Sequence, residues 1–323
     1  MLDISLSIIL FIIGYLIIYF AADVFLDNLK EVCILYGISP FAIGALLIGI
    51  DPEESIASII AAINGLSYLA IGNVIGNSIF ALTISFAIPA FFSKVDFKKI
   101  PQFYFILLYT SLFLILLGII VNFRMLLIGI IAIIIYFVSL IRNIKQFSKG
   151  SSTVLSSTEN LMRGDNDKQE LKAQSKSKKI ILIITSFISL FLGGELLIFT
   201  AEQIIIRTNI PETFFGLIII AFITNVEELT LVIKSIKKKS VEIGLGGMIG
   251  KVIWNLTLTF GISAIFIINF QILWILFWNW LLLSIIIIYF NFISKKQSLA
   301  LKDGIVLTMF LILFLSINFM VLI

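Results

Sequence analysis

The chain has 323 residues, 60% of them hydrophobic, and a formal net charge of only +4, with one Cys and no His. A soluble globular domain is about 45–50% apolar, so the composition excludes an ordinary soluble protein and predicts an all-α membrane protein. The single Cys excludes an intramolecular disulfide, and the absence of His excludes imidazole metal ligands and catalytic triads that depend on His.

Apolar windows of about 20 residues, the length that crosses a bilayer as a helix, predict ten spans along the chain. The first window lies near the N-terminus and lacks the basic flank and small-residue cleavage site of a signal peptide, so we expect it to be a retained helix. The predicted spans cover residues 5–26, 37–63, 69–93, 101–121, 125–142, 179–205, 213–234, 241–268, 271–293 and 303–322.

One long polar segment, residues 143–178, interrupts the apolar windows. It is rich in Ser, Lys, Asp and Glu and lacks apolar periodicity, which predicts a flexible linker. The linker divides the chain into two halves of five spans each, residues 1–142 and 179–323.

The basic residues predict how these spans are oriented. If the N-terminus lies outside, nearly all of the 23 Lys and Arg residues fall in inner connections, whereas the outer connections carry only Arg124 and Arg207. Such asymmetry is the usual mark of the cytoplasmic side. We therefore expect a multi-pass protein of the cell membrane, surrounded by lipid, with both termini outside and the 143–178 linker in the cytoplasm.

The two halves contain related segments. EESIASIIAAINGLSYLAIGNVIGNSIFA (53–81) aligns without a gap with EELTLVIKSIKKKSVEIGLGGMIGKVIWN (227–255). Both begin with Glu-Glu, and both have glycines at the same two positions, Gly72 and Gly76 in the first, Gly246 and Gly250 in the second. Because each half has an odd number of spans, the halves are predicted to be inverted-topology repeats, which many secondary transporters share. The glycines are expected to let the third and eighth spans approach closely, with plain helix packing as their simplest role.

The acidic pairs of these segments are the strongest functional signal. Glu54 and Glu228 lie near the middle of the second and seventh spans, where an ionised side chain costs a few kcal/mol or more. A single such acid is compatible with a protonated structural residue. Two at equivalent positions of inverted repeats are expected to meet near the midplane, where they stay ionised only around a cation or by sharing a proton.

The neighbouring residues suit a cation carrier. Carboxylate oxygens are hard ligands that match calcium, sodium or protons, and calcium takes about 6–8 oxygens. Pro52 is expected to break the second span and free backbone carbonyls, which is tolerated at this depth only where they line a cavity or lie within protein. Further candidate cation ligands beside the central acids are Asp51, Glu53, Thr224 and Asn225.

These motifs resemble those of the sodium/calcium exchanger family of the calcium/cation antiporter superfamily. Its repeats read approximately G-T-S-x-P-E and G-N-x-x-G-S-N-I-F-N/D, compared here with GIDPEE and GNVIGNSIFA in the first half and ITNVEE and GGMIGKVIWN in the second. The resemblance implies a secondary active antiporter rather than an enzyme, with no cofactor, that exports Ca2+ in exchange for Na+ by alternating access. Exchange of Ca2+ or another cation for H+ is the nearby variant.

The resemblance also assigns residues. It implies that Glu54 and Glu228 are the central Ca2+ ligands and that Thr224 is the motif threonine. Asn77 stands where the family has a serine, and Asn255 matches the closing Asn or Asp of the second repeat. Both are therefore candidate cation ligands.

The first repeat departs from the family pattern at its acids. The interval from Gly44 to Glu54 is ten residues, whereas Gly216 to Glu228 is twelve, so the first repeat is shortened near its break. Glu53 follows Pro52 as the family glutamate follows its proline, but the gapless alignment of the repeats favours Glu54. The choice between the two ligands stays open.

The larger departure is Lys251, which takes a serine position of the second repeat, where family members help to hold sodium. Its ammonium can substitute for a bound cation, can lose its proton on burial, or can simply neutralise Glu227 or Glu228 in a salt bridge. The first reading allows a divergent exchanger, and a further alternative is a non-transporting descendant that Lys251 has silenced.

An intramembrane lipid-phosphate hydrolase is a remote alternative. It needs Arg or His beside its acids to hold phosphate, and neither residue occurs at the repeat motifs. No nucleotide-binding motif is present, so we expect neither nucleotide nor nucleic acid as a partner.

Overall fold

The computed structural model describes residues 3–35, 51–92, 94–97, 100–120, 125–147, 176–225, 241–268, 270–271 and 273–320. Within these residues the chain is almost entirely helical, as the composition predicts. The helices, numbered in chain order, are α1 Ile4–Leu35, α2 Pro52–Ile63, α3 Ser67–Phe92, α4 Gln102–Ile120, α5 Met125–Phe147, α6 Lys176–Thr208, α7 Glu212–Thr224, α8 at 241–266, α9 Trp274–Lys296 and α10 Leu301–Phe319.

Each of the ten predicted spans contains a described helix. Eight of these helices are long and apolar enough to cross a membrane, which makes the protein a multi-pass membrane protein. The exceptions are α2 and α7, which are shorter within the described residues; the 36–50 and 226–240 segments beside them lie outside that part of the chain. The count of ten spans therefore stays a prediction.

Several helices extend beyond their predicted ends. The first span was expected to end at residue 26 and the fifth at residue 142, but α1 continues to Leu35 and α5 to Phe147. Both extensions still contain apolar residues that allow the helix to continue. They also contain charged residues, which is why the apolar windows ended before them. Of the predicted 143–178 linker, residues 148–175 lie outside the described chain.

The helix α3 lies at the centre of the molecule. Most of its length is buried, and it packs against α2, α7, α9 and α10. A helix that is apolar on all sides suits such a position. By contrast, α1 and α6 pack along each other at the periphery, where large apolar side chains such as Phe20 and Leu192 are exposed. Such a surface suits contact with lipid rather than water.

The helices α7 and α8 each contain a π-helical segment. It covers Phe215–Ile220 in α7 and Asn255–Thr259 in α8. Single π turns within α-helices frequently occur at functional sites, because they change the direction of the side chains that follow. Both segments lie beside the polar cluster described below.

A two-stranded antiparallel ribbon joins the two halves of the chain. Its strands are β1, Val95–Asp96, and β2, Ser298–Leu299, with Val95 opposite Leu299. The ribbon pairs the segment between α3 and α4 with the segment between α9 and α10, so these two segments lie at one face of the molecule. This ribbon is the departure from an all-α fold within the described residues.

The turn between α9 and α10 and the packing of these helices use buried polar groups. The Asp303 carboxylate accepts hydrogen bonds from Lys296 Nζ at 2.8 Å, the Tyr289 hydroxyl at 3.0 Å and the Ala300 N–H at 2.7 Å. Deeper along the pair, Asn279 and Asn318 donate to each other's side-chain oxygens.

Candidate cation-binding site

A cluster of polar side chains lies where α2, α3, α7 and α8 meet, and both halves of the chain contribute to it. We call it the central cluster. Its members are Asp51, Glu54, Asn77, Thr224, Asn225, Lys251 and Asn255. All seven were predicted as cation ligands or charge modulators from the sequence, and the fold brings them together.

The start of α2 explains why acids can lie here. Asp51 is the N-cap, and its Oδ1 accepts a hydrogen bond from the Glu54 N–H at 3.1 Å. Pro52 occupies the first helical position, where its missing N–H costs nothing. The positive end of the helix dipole stabilises carboxylates in this first turn. Pro52 thus begins α2, and the chain before Asp51 lies outside the described residues.

Lys251 forms ion pairs with both of these acids. Its Nζ lies 2.9 Å from Asp51 Oδ2 and 2.6 Å from Glu54 Oε1, and its side chain is 4% exposed. The predicted pairing with Glu227 or Glu228 concerns residues outside the described part of the chain. The lysine of the second half therefore pairs with two acids of the first half and offsets one of their charges.

Asn255 donates a hydrogen bond to the second oxygen of the Glu54 carboxylate. Its Nδ2 donates to Glu54 Oε2 at 2.5 Å and lies 3.1 Å from Asn77 Oδ1. Lys251 and Asn255 are four residues apart and share one face of α8. Consequently, one helix of the second half contacts both oxygens of Glu54, which is 1% exposed.

Asn77 extends the cluster from α3 to α7. Its Nδ2 donates to Thr224 Oγ1 at 2.9 Å, and its backbone carbonyl lies 3.5 Å from Asn225 Nδ2. Thr224 is the last residue of α7, and Asn225 caps that helix. A continuous set of polar contacts therefore runs from Asp51 through Lys251, Glu54 and the two asparagines to the end of α7.

These contacts favour one of the two candidate acids of the first repeat. Glu53 and Glu54 are both buried, but it is the Glu54 carboxylate that contacts Lys251 and Asn255. This agrees with the gapless alignment of the repeats, in which Glu54 corresponds to Glu228. The acids of the second repeat, Glu227 and Glu228, lie outside the described residues.

A second layer of hydrogen bonds, which the sequence analysis missed, supports α2. Ser55 Oγ lies 2.7 Å from both Thr259 Oγ1 and Trp254 Nε1 on α8. Asn73 Nδ2 donates to Ser58 Oγ at 2.8 Å. Helical spacing could have identified part of this layer, since Ser58 follows Glu54 and Asn77 follows Asn73 by four residues.

The glycines of the first repeat pack against a different helix from the one expected. They were predicted to bring the third and eighth spans together, but the close contact of Gly72 and Gly76 is with α7. A Cβ at Gly76 would lie 2.8 Å from Leu217 Cα, and one at Gly72 would lie 3.1 Å from Thr213 O. Their counterparts Gly246 and Gly250 lie on α8. The reason is that α7 lies directly across α3, with its own Gly216 turned toward the α3 backbone.

The described carboxylates of the central cluster do not by themselves form a metal site. Among the residues that the structure describes, no group of three or more His, Cys, Asp or Glu side chains could hold a metal ion. The described carboxylates at the cluster, Asp51 and Glu54, instead share the Lys251 ammonium. The predicted Ca2+ pair of Glu54 and Glu228 thus stays a prediction.

Comparison with known proteins adds a family and a fold. The sequence model of the family described as sodium/calcium exchanger protein matches residues 6–145 and 178–320. An uncharacterized membrane protein of Methanocaldococcus jannaschii is 25% identical over 259 residues, which cover 79% of this chain and 80% of that protein. The sodium/calcium exchanger MaX1 of Methanosarcina acetivorans is 28% identical over 148 residues, which are 44% of this chain and 41% of MaX1.

Solved structures of the sodium-calcium exchanger NCX_Mj have a similar fold. The structure soaked with 2.5 mM Na+ and 10 mM Sr2+ has a TM-score of 0.61 and 20% identity, covering 97% of this chain and 99% of that one. The structure soaked with zero Na+ and Ca2+ has a TM-score of 0.55 and 19% identity, with 97% and 99% coverage. The helical arrangement described above is therefore similar over nearly the whole chain.

Proposed function

The chain belongs to the sodium/calcium exchanger family, and on that premise we propose that it exports Ca2+ in exchange for Na+ across the cell membrane. Family membership supports a multi-pass cation antiporter rather than an enzyme. The observation that carries the proposal is the central cluster itself, in which α2 and α3 of one half and α7 and α8 of the other meet around the Glu54 carboxylate.

The chemistry of the cluster suits a hard cation. Glu54 is buried, and a buried carboxylate is stable as an anion only with a positive partner or several hydrogen-bond donors. Calcium and sodium both prefer carboxylate, amide and hydroxyl oxygens. We propose Glu54 and Glu228 as the central ligands, with further oxygens from Asp51, Glu53, Asn77, Thr224, Asn225 and Asn255.

The proposed architecture is ten spans arranged as two inverted repeats, residues 1–142 and 179–323, joined by the 143–178 linker in the cytoplasm. Ten described helices support this arrangement, as does the β1–β2 ribbon, which joins two connections that the ten-span map assigns to the same side. With both termini outside, the central cluster would lie at the interface of the repeats, and alternating access would expose it to each side in turn.

In the proposed mechanism, calcium and sodium bind the same central carboxylates in turn. Calcium bound from the cytoplasm would be released outside when the helices rearrange, and sodium would occupy the same acids during return. Because burial makes unbalanced charge costly, the empty site would rearrange slowly, and this couples the two fluxes. Proton coupling is the competing form of the same exchange.

Calcium-45 uptake into proteoliposomes tests the proposal. Under an imposed sodium gradient, the wild type should accumulate calcium, whereas Glu54→Gln and Glu228→Gln should not. Glu195→Gln serves as a control because Glu195 lies on α6 and accepts a hydrogen bond from Asn64 at 3.3 Å, away from the central cluster. The control variant should retain uptake.

The outcomes separate the alternatives. Uptake driven by a proton gradient but not by a sodium gradient would replace sodium by protons in the proposal. No gradient-driven flux of any cation in correctly folded wild type would refute exchange and favour a non-transporting descendant. Uptake that survives both substitutions of the central acids would refute the assignment of the ligands.

A further inference from the structure

Lys251 has the geometry of a bound cation rather than that of an ordinary surface ion pair. Resting on the proposed function, we propose that its ammonium is a tethered cation, which occupies the position between Asp51 and Glu54 that a mobile cation otherwise takes. Lys251 and the transported divalent cation are then alternative partners of Glu54. In this arrangement Lys251 determines how many monovalent cations the exchanger carries.

The distances make simultaneous occupancy unfavourable. Lys251 Nζ lies 2.6 Å from Glu54 Oε1 and 2.9 Å from Asp51 Oδ2. Calcium binds oxygen at about 2.3–2.6 Å, so an ion held by these same two oxygens would overlap the ammonium. All three side chains are largely buried, with exposures of 4% for Lys251, 1% for Glu54 and 12% for Asp51. A mobile cation can therefore bind between the two acids only after the lysine has moved.

Charge balance leads to the same conclusion. As carboxylates, Asp51 and Glu54 contribute two of the negative charges at the proposed site, and the Lys251 ammonium offsets one of them. A divalent cation beside the lysine would leave excess positive charge among these three groups, and like charges repel strongly at low dielectric. At these two oxygens the divalent cation therefore takes the place of the ammonium rather than lying beside it.

The position of Lys251 on α8 allows this replacement. Asn255, one turn further along, donates to the other oxygen of Glu54, so that carboxylate keeps a partner when the ammonium leaves. Lysine is a point charge on a flexible four-carbon stem, and its contact with a carboxylate has no fixed bidentate geometry. The ammonium can thus withdraw without movement of the α8 backbone.

A second lysine–carboxylate pair, whose lysine is 38% exposed against 4% for Lys251, provides a contrast. Lys296 lies 2.8 Å from Asp303 in the turn between α9 and α10, where the carboxylate also accepts from the Tyr289 hydroxyl and the Ala300 N–H. That pair caps a helix and joins neighbouring segments. The Lys251 pairs instead join the two halves at the central cluster, so Lys296 is a control for the loss of a lysine from an ion pair outside the cluster.

A purely structural salt bridge makes a different prediction from a tethered cation. If Lys251 only holds α8 against α2, its removal destabilises the protein and small cations cannot replace the lost connection. If it occupies a cation position, its removal creates a vacancy for sodium. Sodium should then restore stability in a saturable way.

The first measurement is the melting temperature of the full-length protein in detergent as sodium replaces choline at constant ionic strength. Lys251→Ser and Lys251→Gln should melt several degrees below the wild type in choline and recover with saturating sodium. Wild type, Lys251→Arg and Lys296→Ser keep a cationic side chain at residue 251, so saturating sodium should raise their melting temperatures by less than it raises that of Lys251→Ser. The proposal is overturned if sodium fails to restore either Lys251 variant, including the case in which neither can be recovered folded in sodium.

The second measurement is the coupling ratio in proteoliposomes with the membrane potential clamped at zero. Under an about tenfold sodium gradient, one additional sodium per calcium raises the limiting calcium accumulation about tenfold, because each tenfold ratio corresponds to about 1.4 kcal/mol. Lys251→Ser should show this rise, and Lys296→Ser should not. If the limiting calcium accumulation of Lys251→Ser equals that of the wild type, the tethered-cation proposal is overturned and the proposed sodium/calcium exchange is unaffected. If sodium restores the stability of the Lys251 variants but the wild type shows no calcium flux, the tethered-cation proposal is supported and sodium/calcium exchange is refuted.

Discussion

Replacing Gly76 by Ala tests whether the close approach of α3 and α7 shapes the central cluster. A methyl group at Gly76 would lie 2.8 Å from Leu217 Cα and from the Leu217 carbonyl carbon. Carbon atoms pack at about 3.5–4.0 Å, so the two helices would have to separate by roughly 1 Å. Both contacts are with backbone, which cannot rotate away as a flexible side chain can.

The size of the effect follows from two opposing terms. Overpacking costs about 1–3 kcal/mol, and a rigid backbone contact favours the upper end of that range. Alanine offsets about 1 kcal/mol of this, because it is the better helix former. We therefore expect Gly76→Ala to destabilise the protein by about 2 kcal/mol, which lowers the melting temperature by on the order of 5 °C.

The same separation of α3 and α7 should break a hydrogen bond in the central cluster. Asn77 follows Gly76 directly, and its bond to Thr224 spans α3 and α7 at 2.9 Å. A separation of about 1 Å takes this distance beyond the hydrogen-bonding range. Calcium uptake in proteoliposomes should therefore fall along with the melting temperature.

Gly72→Ala is the control on the same helix, one turn earlier. There, a Cβ would lie 3.1 Å from Thr213 O and 3.2 Å from Leu217 N, so a shift of a few tenths of an ångström suffices. Its steric cost and its gain in helix propensity should nearly cancel. If Gly76→Ala is as stable and as active as Gly72→Ala, the helices do not meet as described and the reasoning fails.

Three further substitutions test individual contacts. Asn255→Leu removes the donor to Glu54 Oε2 and should raise the calcium concentration for half-maximal uptake at least about tenfold, since hydrogen bonds to charged groups contribute about 1.5–3 kcal/mol; an unchanged value contradicts this. Asn279→Leu alone should lower the melting temperature, because it leaves the buried Asn318 amide without its partner. Adding Asn318→Leu should recover much of the loss, and strictly additive effects of the two substitutions would contradict the pairing. Asp303→Asn should cost about 1–3 kcal/mol in thermal denaturation because the carboxylate accepts from three donors, and wild-type stability would contradict its capping role.

The membrane class and the helical segments could be predicted from sequence because the signal is local. About 20 consecutive apolar residues have few alternatives to a spanning helix. The family was recognisable for a similar reason, since its motifs are short segments such as GNVIGNSIF, and the family model matches both halves. The members of the central cluster also followed, because intramembrane polar residues are rare and repeated here at equivalent positions.

What could not be predicted depends on how distant segments meet. Lys251 was expected to pair with Glu227 or Glu228, which lie outside the described residues. Within the described residues it contacts Asp51 and Glu54, which belong to the other half. The glycines of α3 were expected to lie against α8, but Gly72 and Gly76 pack against α7, whereas α3 meets α8 through Asn77 and Asn255. The π-helical segments and the β1–β2 ribbon are likewise consequences of tertiary packing, and neither changes the apolar pattern that the windows detect.

The central cluster also constrains the order of events during synthesis. Asn255 follows Glu54 by 201 residues, and at about 5–20 residues per second a ribosome needs roughly 10–40 s to make that interval. Throughout this time the first-half acids have neither the lysine nor the amide that later contacts them. The amino-terminal half must therefore enter the membrane with its acids still hydrated, protonated or held elsewhere, and the charged site closes only when nearly the whole chain has left the ribosome.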